Sequence, residues 1–499
     1  MRTRLPVPAA AAMAVGFLVF FAAGCATVGS PFRVHLASEA PQLRECAEWY
    51  RLLDERVAAA GVRDAQNAPV AGFPYLRVSR LLAALRPAAL SNEQALRALA
   101  DRMLALDLES RRYEIMNLPA GLLPEVPDAS KRTRECGRLL LEVDLGQPES
   151  RDAMMRGAEV PDDYRLVNRI VGLYWILRYP FSVGVRNFEL ETLAAFRRER
   201  FPSEDGNLVR YAPEPGRPLP RTEVAMILQQ AAENPLGIPE PRESDLQALL
   251  AAHAPSFEVE VKGDYDRFGA LRWLRDSNSP SVDGAQLAVY GHPAWTHYEG
   301  RVLLQLVYTL WFPERPPRSE GDILAGKLDG ITWRVTLAPD GEPLVYDAIH
   351  PCGCFHQFFP TPRAAARPGP GGIEEWMFSP QSLPRIADGE RPLVRIASGT
   401  HYIERVAVVR GIDSLARYEM RSYGELRSLS HFSGMRAGAF GADGLVHGTE
   451  RAERFTFWPM GIVSAGAMRQ WGRQPTAFVG RRHFDDADLF EKRFSFDLR

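Results

Sequence analysis

The sequence predicts an α+β protein with a helical N-terminal half and a β-rich, mainly antiparallel C-terminal half. Up to about residue 252, apolar residues recur at spacings of three and four, the helical period. After Pro255 they alternate or form short extended blocks, and Pro235, Pro239, Pro241 and Pro255 cluster where the period changes. A chain of 499 residues can build more than one core. Hydrophobic residues make up 46% and charged residues 24%, a globular balance, and the formal net charge is only -2. No field of one sign covers the chain, so a nucleic-acid partner is not expected.

The N-terminus carries Arg2 and Arg4, an apolar stretch from Ala9 to Ala23, and then Ala22-Ala23-Gly24-Cys25. It resembles a bacterial lipoprotein signal peptide with its lipobox. The resemblance implies cleavage before Cys25, a lipid on its thiol and anchorage in a lipid bilayer. Ala26 stands where an aspartate would favour inner-membrane retention, so the implied location is the outer membrane, facing the periplasm. The expected organisation is a signal peptide at 1–24, a lipidated tether at 25–40, a helical domain at 41–252 and a β-rich domain at 253–499. Export permits disulfides, and Cys46 with Cys136 forms either a staple of the first half or two separate buried thiols.

Leu43, Cys46, Ala47, Tyr50, Leu53 and Val57 predict a helix over 41–60. A second is expected over Tyr75 to Leu85, ended near Pro87. Ser91 with Gln94 has the capping-box spacing ahead of the stripe Leu96, Leu99, Met103 and Leu106. A short helix is expected at 132–141. Asp163 to Arg178 is strongly apolar but interrupted by Arg165, Arg169 and Arg178, which predicts a central buried helix and no transmembrane span. Further helices are expected at 187–200 and 222–233.

In the second half, Phe257, Val259 and Val261 alternate with charged residues as in a half-buried strand, while 301–312 reads as a central strand. Residues 332–338 and 343–347 flank Pro339-Asp340-Gly341 as a hairpin. Strand patterns return at 393–397, 402–410 and 454–458, and Asp283-Gly284 and Asp329-Gly330 read as turns.

The hairpin delivers the chain into Ile349 to Pro360, IHPCGCFHQFFP. If extended, this stretch turns His350, Cys352, Cys354 and His356 to one face. Thiolate and imidazole suit zinc, copper or iron, although the spacing is too tight for one ion to take all four from a strand. The four therefore read as one wall of a site, with His297 or His401 on the other and Tyr298, Glu299 or Glu404 as its acid or base. The leading expectation is a lipid-anchored metal-binding protein, with redox or Lewis-acid chemistry as its catalytic form. The alternatives are an envelope scaffold with a structural Cys352–Cys354 disulfide, and a thiol–disulfide redox protein. No phosphate-binding glycine loop, HExxH or GxSxG motif is present.

Overall fold

The structure, a computed structural model, describes residues 31–123, 128–198, 207–275, 277, 279–411 and 416–499. The signal-peptide-like segment and Cys25 lie outside the described residues. The first layer contains α1 (Pro31–Leu36), α2 (Pro41–Ala60), β1 (Ala68–Val70), β2 (Phe73–Val78), α3 (Arg80–Ala89), α4 (Glu93–Asn117), α5 (Ala129–Leu145) and α6 (Pro148–Gly157). Trp49, Tyr50, Tyr75, Leu99, Met103 and Leu140 fill its core. Cys46 of α2 and Cys136 of α5 are joined as a disulfide across 90 residues of sequence.

Local chemistry shifts several boundaries. Tyr75 lies in β2, and α3 starts only after Ser79, whose hydroxyl accepts from the Leu82 amide. Pro87 sits within the last turns of α3 instead of ending it. Asn92 rather than Ser91 caps α4: its side chain accepts from the amides of Gln94 and Ala95, while Ser91 Oγ donates to the Ala88 carbonyl. His35, expected in the tether, is buried on α1 against Asp144.

The apolar stretch at 163–178 departs furthest from expectation. It forms α7 (Leu166–Val171) and the start of α8 (Tyr174–Phe196), broken at Gly172-Leu173. The helix expected at 187–200 is the continuation of α8. Leu166, Val167, Val171 and Ile176 are all exposed, so this is not a central buried helix. Among the described residues, no helix is long and apolar enough to cross a membrane.

The chain then contributes β3 (Asn207–Pro213), α9 (Arg221–Ala231) and α10 (Glu243–His253) before the second half supplies the remaining strands. These are β4 (Ser256–Val261), β5 (Ala270–Trp273), β6 (Pro280–Asp283), β7 (Ala288–Tyr298), β8 (Arg301–Arg315), β9 (Gly326–Leu337), β10 (Pro343–Ile349), β11 (Gln357–Pro360), β12 (Ala364–Ala366), β13 (Arg391–Ile396), β14 (Ile403–Val409) and β15 (Ala416–Ser422). Nine of them and β3 make one ten-stranded sheet, ordered β11-β10-β9-β8-β7-β15-β3-β4-β13-β14. It is antiparallel except where β15 joins β3 and β7, and where β13 joins β4. The expected β9–β10 hairpin is present, and α9 and α10 pack into the sheet's own core through Val224, Leu228, Leu249 and Leu250. The 454–458 stretch is a helical turn, α11 (Arg454–Phe457), rather than a strand.

A closed loop of 90 residues removes about 4–5 kcal/mol of unfolded-chain entropy on a chain-entropy account. Replacing Cys46 and Cys136 by serine is expected to cost about 2–4 kcal/mol in denaturant unfolding. A nonreducing peptide map lacking the Cys46–Cys136 linkage would refute the pairing.

Candidate functional site

Residues 350–356 are not extended; they form the loop of the β10–β11 hairpin. The His350 amide donates to the Cys354 carbonyl, and the Gly353 amide to the His350 carbonyl. Gly353 has φ 94, and a Cβ there would lie 2.2 Å from the Pro475 carbonyl oxygen. Phe355 also adopts a left-handed conformation, φ 63. The alternation on which a shared face depends is therefore lost.

The four residues consequently go to different places. His350 Nδ1 lies 2.9 Å from Asp329, whose other oxygen is 3.0 Å from His401 Nδ1. His401 Nε2 is 3.4 Å from Asp266, and Arg451 approaches Asp329 to 3.5 Å. Asp329 lies within β9 and is fully buried, so Asp329-Gly330 is not the turn it resembled in sequence. Its burial alone would raise its pKa, but His350, Arg451 and His401 outweigh that and hold it well below the usual carboxylate range. Burial and nearby cations keep His350 low despite Asp329. For His401 burial opposes the charge, yet the neighbouring carboxylates of Asp266 and Asp329 raise its pKa above the ordinary imidazole value.

His356 belongs to a separate group. Its Nε2 is 2.8 Å from Asp347, which also takes Arg334 in a two-pronged contact of 2.9 and 2.6 Å. Burial pushes its pKa down to about 3, so the ring is neutral, and Nδ1 has no hydrogen-bond partner. Cys352 and Cys354 are separate buried thiols, not the structural disulfide of the scaffold alternative. The Cys354 amide donates to the Cys352 sulfur at 3.4 Å. The neighbouring Cys352 thiol and burial push the Cys354 thiol well above its ordinary pKa, so it is not an activated thiolate.

His297 is not brought to this region. It sits toward the far end of β7, pairs with Glu491, and is separated from β10 by β8 and β9, about 14 Å of sheet. Tyr298 Oη accepts from the Phe496 amide, Glu299 pairs with Arg367, and Glu404 lies against Arg395. Among the described residues, no group of three or more His, Cys, Asp and Glu side chains is placed to hold one metal ion.

What the loop does line is a cavity of about 520 Å³. Phe181, Val185 and Phe188 of α8 form one wall, Trp376 to Phe378 another, and Phe457 and Phe478 a third. Phe355 and Tyr402 close the back: their rings are 4.7 Å apart, and Phe188 packs on both. Phe355 also meets the edge of His350, so the Asp329 group lies behind this wall. The polar lining includes Cys354, Glu189, Glu375, Glu453 and Arg482. Glu453 is 3% exposed, and burial raises its pKa to about 7. Glu375, raised by burial, accepts from the amides of Phe478 and Val479 at 2.7 and 2.9 Å. A carboxyl poised near neutrality in an apolar cavity can exchange a proton with a bound group.

Sequence reasoning missed Glu453, Glu375, Asp329 and Asp347. Glu453 is embedded in RAERFTFW, whose aromatic residues read as strand packing, and no local signal marks its carboxyl as buried. No family model, curated protein or solved structure matches the chain.

Asp329→Asn leaves His350, His401 and Arg451 around an uncharged group and is expected to cost about 3–5 kcal/mol of stability. The raised His401 pKa stabilises the fold fully below the unfolded histidine value and loses that contribution as pH rises through the folded value. Removing Asp329 should lower the His401 titration midpoint followed by NMR; an unchanged midpoint would exclude Asp329 as its proton-holding partner.

Proposed function

We propose that this chain is a lipid-anchored, periplasm-facing protein that binds an amphiphilic small molecule between α8 and the 350–356 loop. The observation that carries the reading is the aromatic-lined cavity with Glu453 set into it. Pockets of a few hundred Å³ with apolar walls and few polar groups suit ligands of this kind. The apolar body would lie against Phe181, Val185 and Phe188, and a neutral hydrogen-bonding head would meet Glu453 and Glu375. Arg482 is tied by its guanidinium to the Glu375 and Trp376 carbonyls and to Thr476, which supports a positioning role over that of a free anion receptor.

A metal ion held by His350, Cys352, Cys354 and His401 is the competing reading. It is supported by two neighbouring free thiols and by the convergence of both imidazoles on Asp329. It requires at least one histidine to exchange its carboxylate for the ion. Stoichiometric zinc, copper or iron in reduced protein, lost in a Cys352→Ser, Cys354→Ser double variant, would favour this reading.

The neutral fluorophore N-phenyl-1-naphthylamine should bind saturably, and Val185→Trp, which fills the cavity, should weaken it at least about tenfold. Because Glu453 is uncharged below about 7, affinity should fall as pH rises through that value, by up to about tenfold per pH unit. Glu453→Gln should flatten the profile. Equal binding by wild type and Val185→Trp would sink the cavity reading.

A further inference from the structure

Helix α8 has two apolar sides. Phe181, Val185 and Phe188 face the cavity. Ile176, Tyr179, Val183 and Leu190 follow spacings of three, four and seven on the opposite side, and all are exposed. A solvent-facing helix stripe is ordinarily polar. Val167 and Val171 of α7, each 68% exposed, and Phe455, 70% exposed, with Trp458 on the adjoining turn, are further exposed apolar residues on the elements packed with α8. The turn is fixed to α7 and α8 by the Arg169 guanidinium on the Met460 carbonyl and by the Phe181–Phe457 ring contact. Exposed apolar residues gathered on two successive helices and the turn packed with them suit an interaction surface.

Charge decides among its occupants. Residues 165–198 contain Arg165, Arg169, Arg178, Arg186, Arg197 and Arg198 against only Glu189 and Glu191, a basic excess, although the chain as a whole carries a net charge of -2. Arg165 and Arg186 are exposed beside the apolar stripe. Such a face repels a second copy of itself, and it matches phosphates above an acyl layer. Tryptophan and tyrosine within the stripe suit the interfacial zone. The same arginines interrupt the apolar run, so the helix lies on a bilayer rather than across it.

We propose that α7, α8 and the Phe455–Trp458 turn dock onto the surface of an anionic phospholipid bilayer, as a contact separate from any lipid on Cys25. Ile176, Tyr179, Val183 and Phe455 enter the headgroup–acyl boundary, and Arg165 and Arg186 meet lipid phosphates. A second apolar and basic contact would strengthen any attachment through Cys25 and fix the orientation of the folded body. It would also place α8 between the lipid and the cavity, giving an amphiphile a short route from bilayer to site. This docking rests on the surface alone and does not require the cavity reading.

The test uses the full chain on vesicles of phosphatidylcholine, with or without phosphatidylglycerol, and follows amide hydrogen exchange over 165–198. An Ile176→Ser, Val183→Ser, Phe455→Ser variant separates this face from the N-terminus, with Met226→Ser as an exposed control elsewhere. Protection of 165–198 is expected on the anionic vesicles, reduced by salt, kept by Met226→Ser and lost in the triple variant. Arg165→Gln and Arg186→Gln should each weaken vesicle partitioning about fivefold at low salt. Protein that remains vesicle-bound with no protection of 165–198 would overturn the proposal. So would protection that rises with protein concentration in the absence of vesicles, which would assign the face to a second copy. Loss of fluorophore binding in Val185→Trp with docking intact would separate the two readings.

Discussion

The second half of the molecule is organised around one buried carboxylate, Asp329. It ties β9 to the 350–356 loop through His350, to the turn before β14 through His401, and to Arg451 ahead of α11. A charge with no solvent exposure is costly unless it is paired and hydrogen-bonded, and here three partners from distant parts of the chain compensate it. Those partners also hold the walls of the cavity: Phe355 follows His350 in the loop, Tyr402 follows His401, and Glu453 follows Arg451. The network therefore sets the positions of three residues that line the pocket without itself reaching it.

A second pair of carboxylates gives the helical layer the same kind of anchoring. Arg77 of β2 meets Asp107 and Glu114 of α4, while Arg427 reaches Asp64 from beyond β15. Burial raises Asp107 to about 6 even with Arg111 and Arg77 beside it, so these contacts settle geometry more than they add net stability. The helical layer and the second half are thus joined by the buried Arg427–Asp64 pair and by the Asn117 side chain donating to the Arg427 carbonyl.

The cavity and the apolar face of α8 share one helix, which links two otherwise separate properties. A helix that is apolar on both sides needs cover on both. One side is covered by Phe355, Tyr402 and the cavity itself, and the other carries exposed apolar residues among the described residues. Arginines along the same stretch keep it from reading as a membrane span and give the exposed side its sign.

The sequence by itself determined the α+β class, because periods of 3.6 and 2 are written residue by residue, and it placed α2, α4, α5, α9 and the β9–β10 hairpin within a few residues. It also offered Cys46 with Cys136 as either a pair or two separate buried thiols, and the structure joins them. The destinations of His350, Cys352, Cys354 and His356 were decided only in three dimensions. Left-handed backbone at Gly353 and Phe355 replaces the strand period with a loop, and the carboxylates that receive the imidazoles come from β9 and β10 rather than from neighbouring positions. The same holds for 163–178, where composition marks an apolar helix but cannot say whether the fold supplies a partner for both faces. Burial is a property of what arrives from elsewhere in the chain, and for α7 and α8 nothing among the described residues covers the outer face.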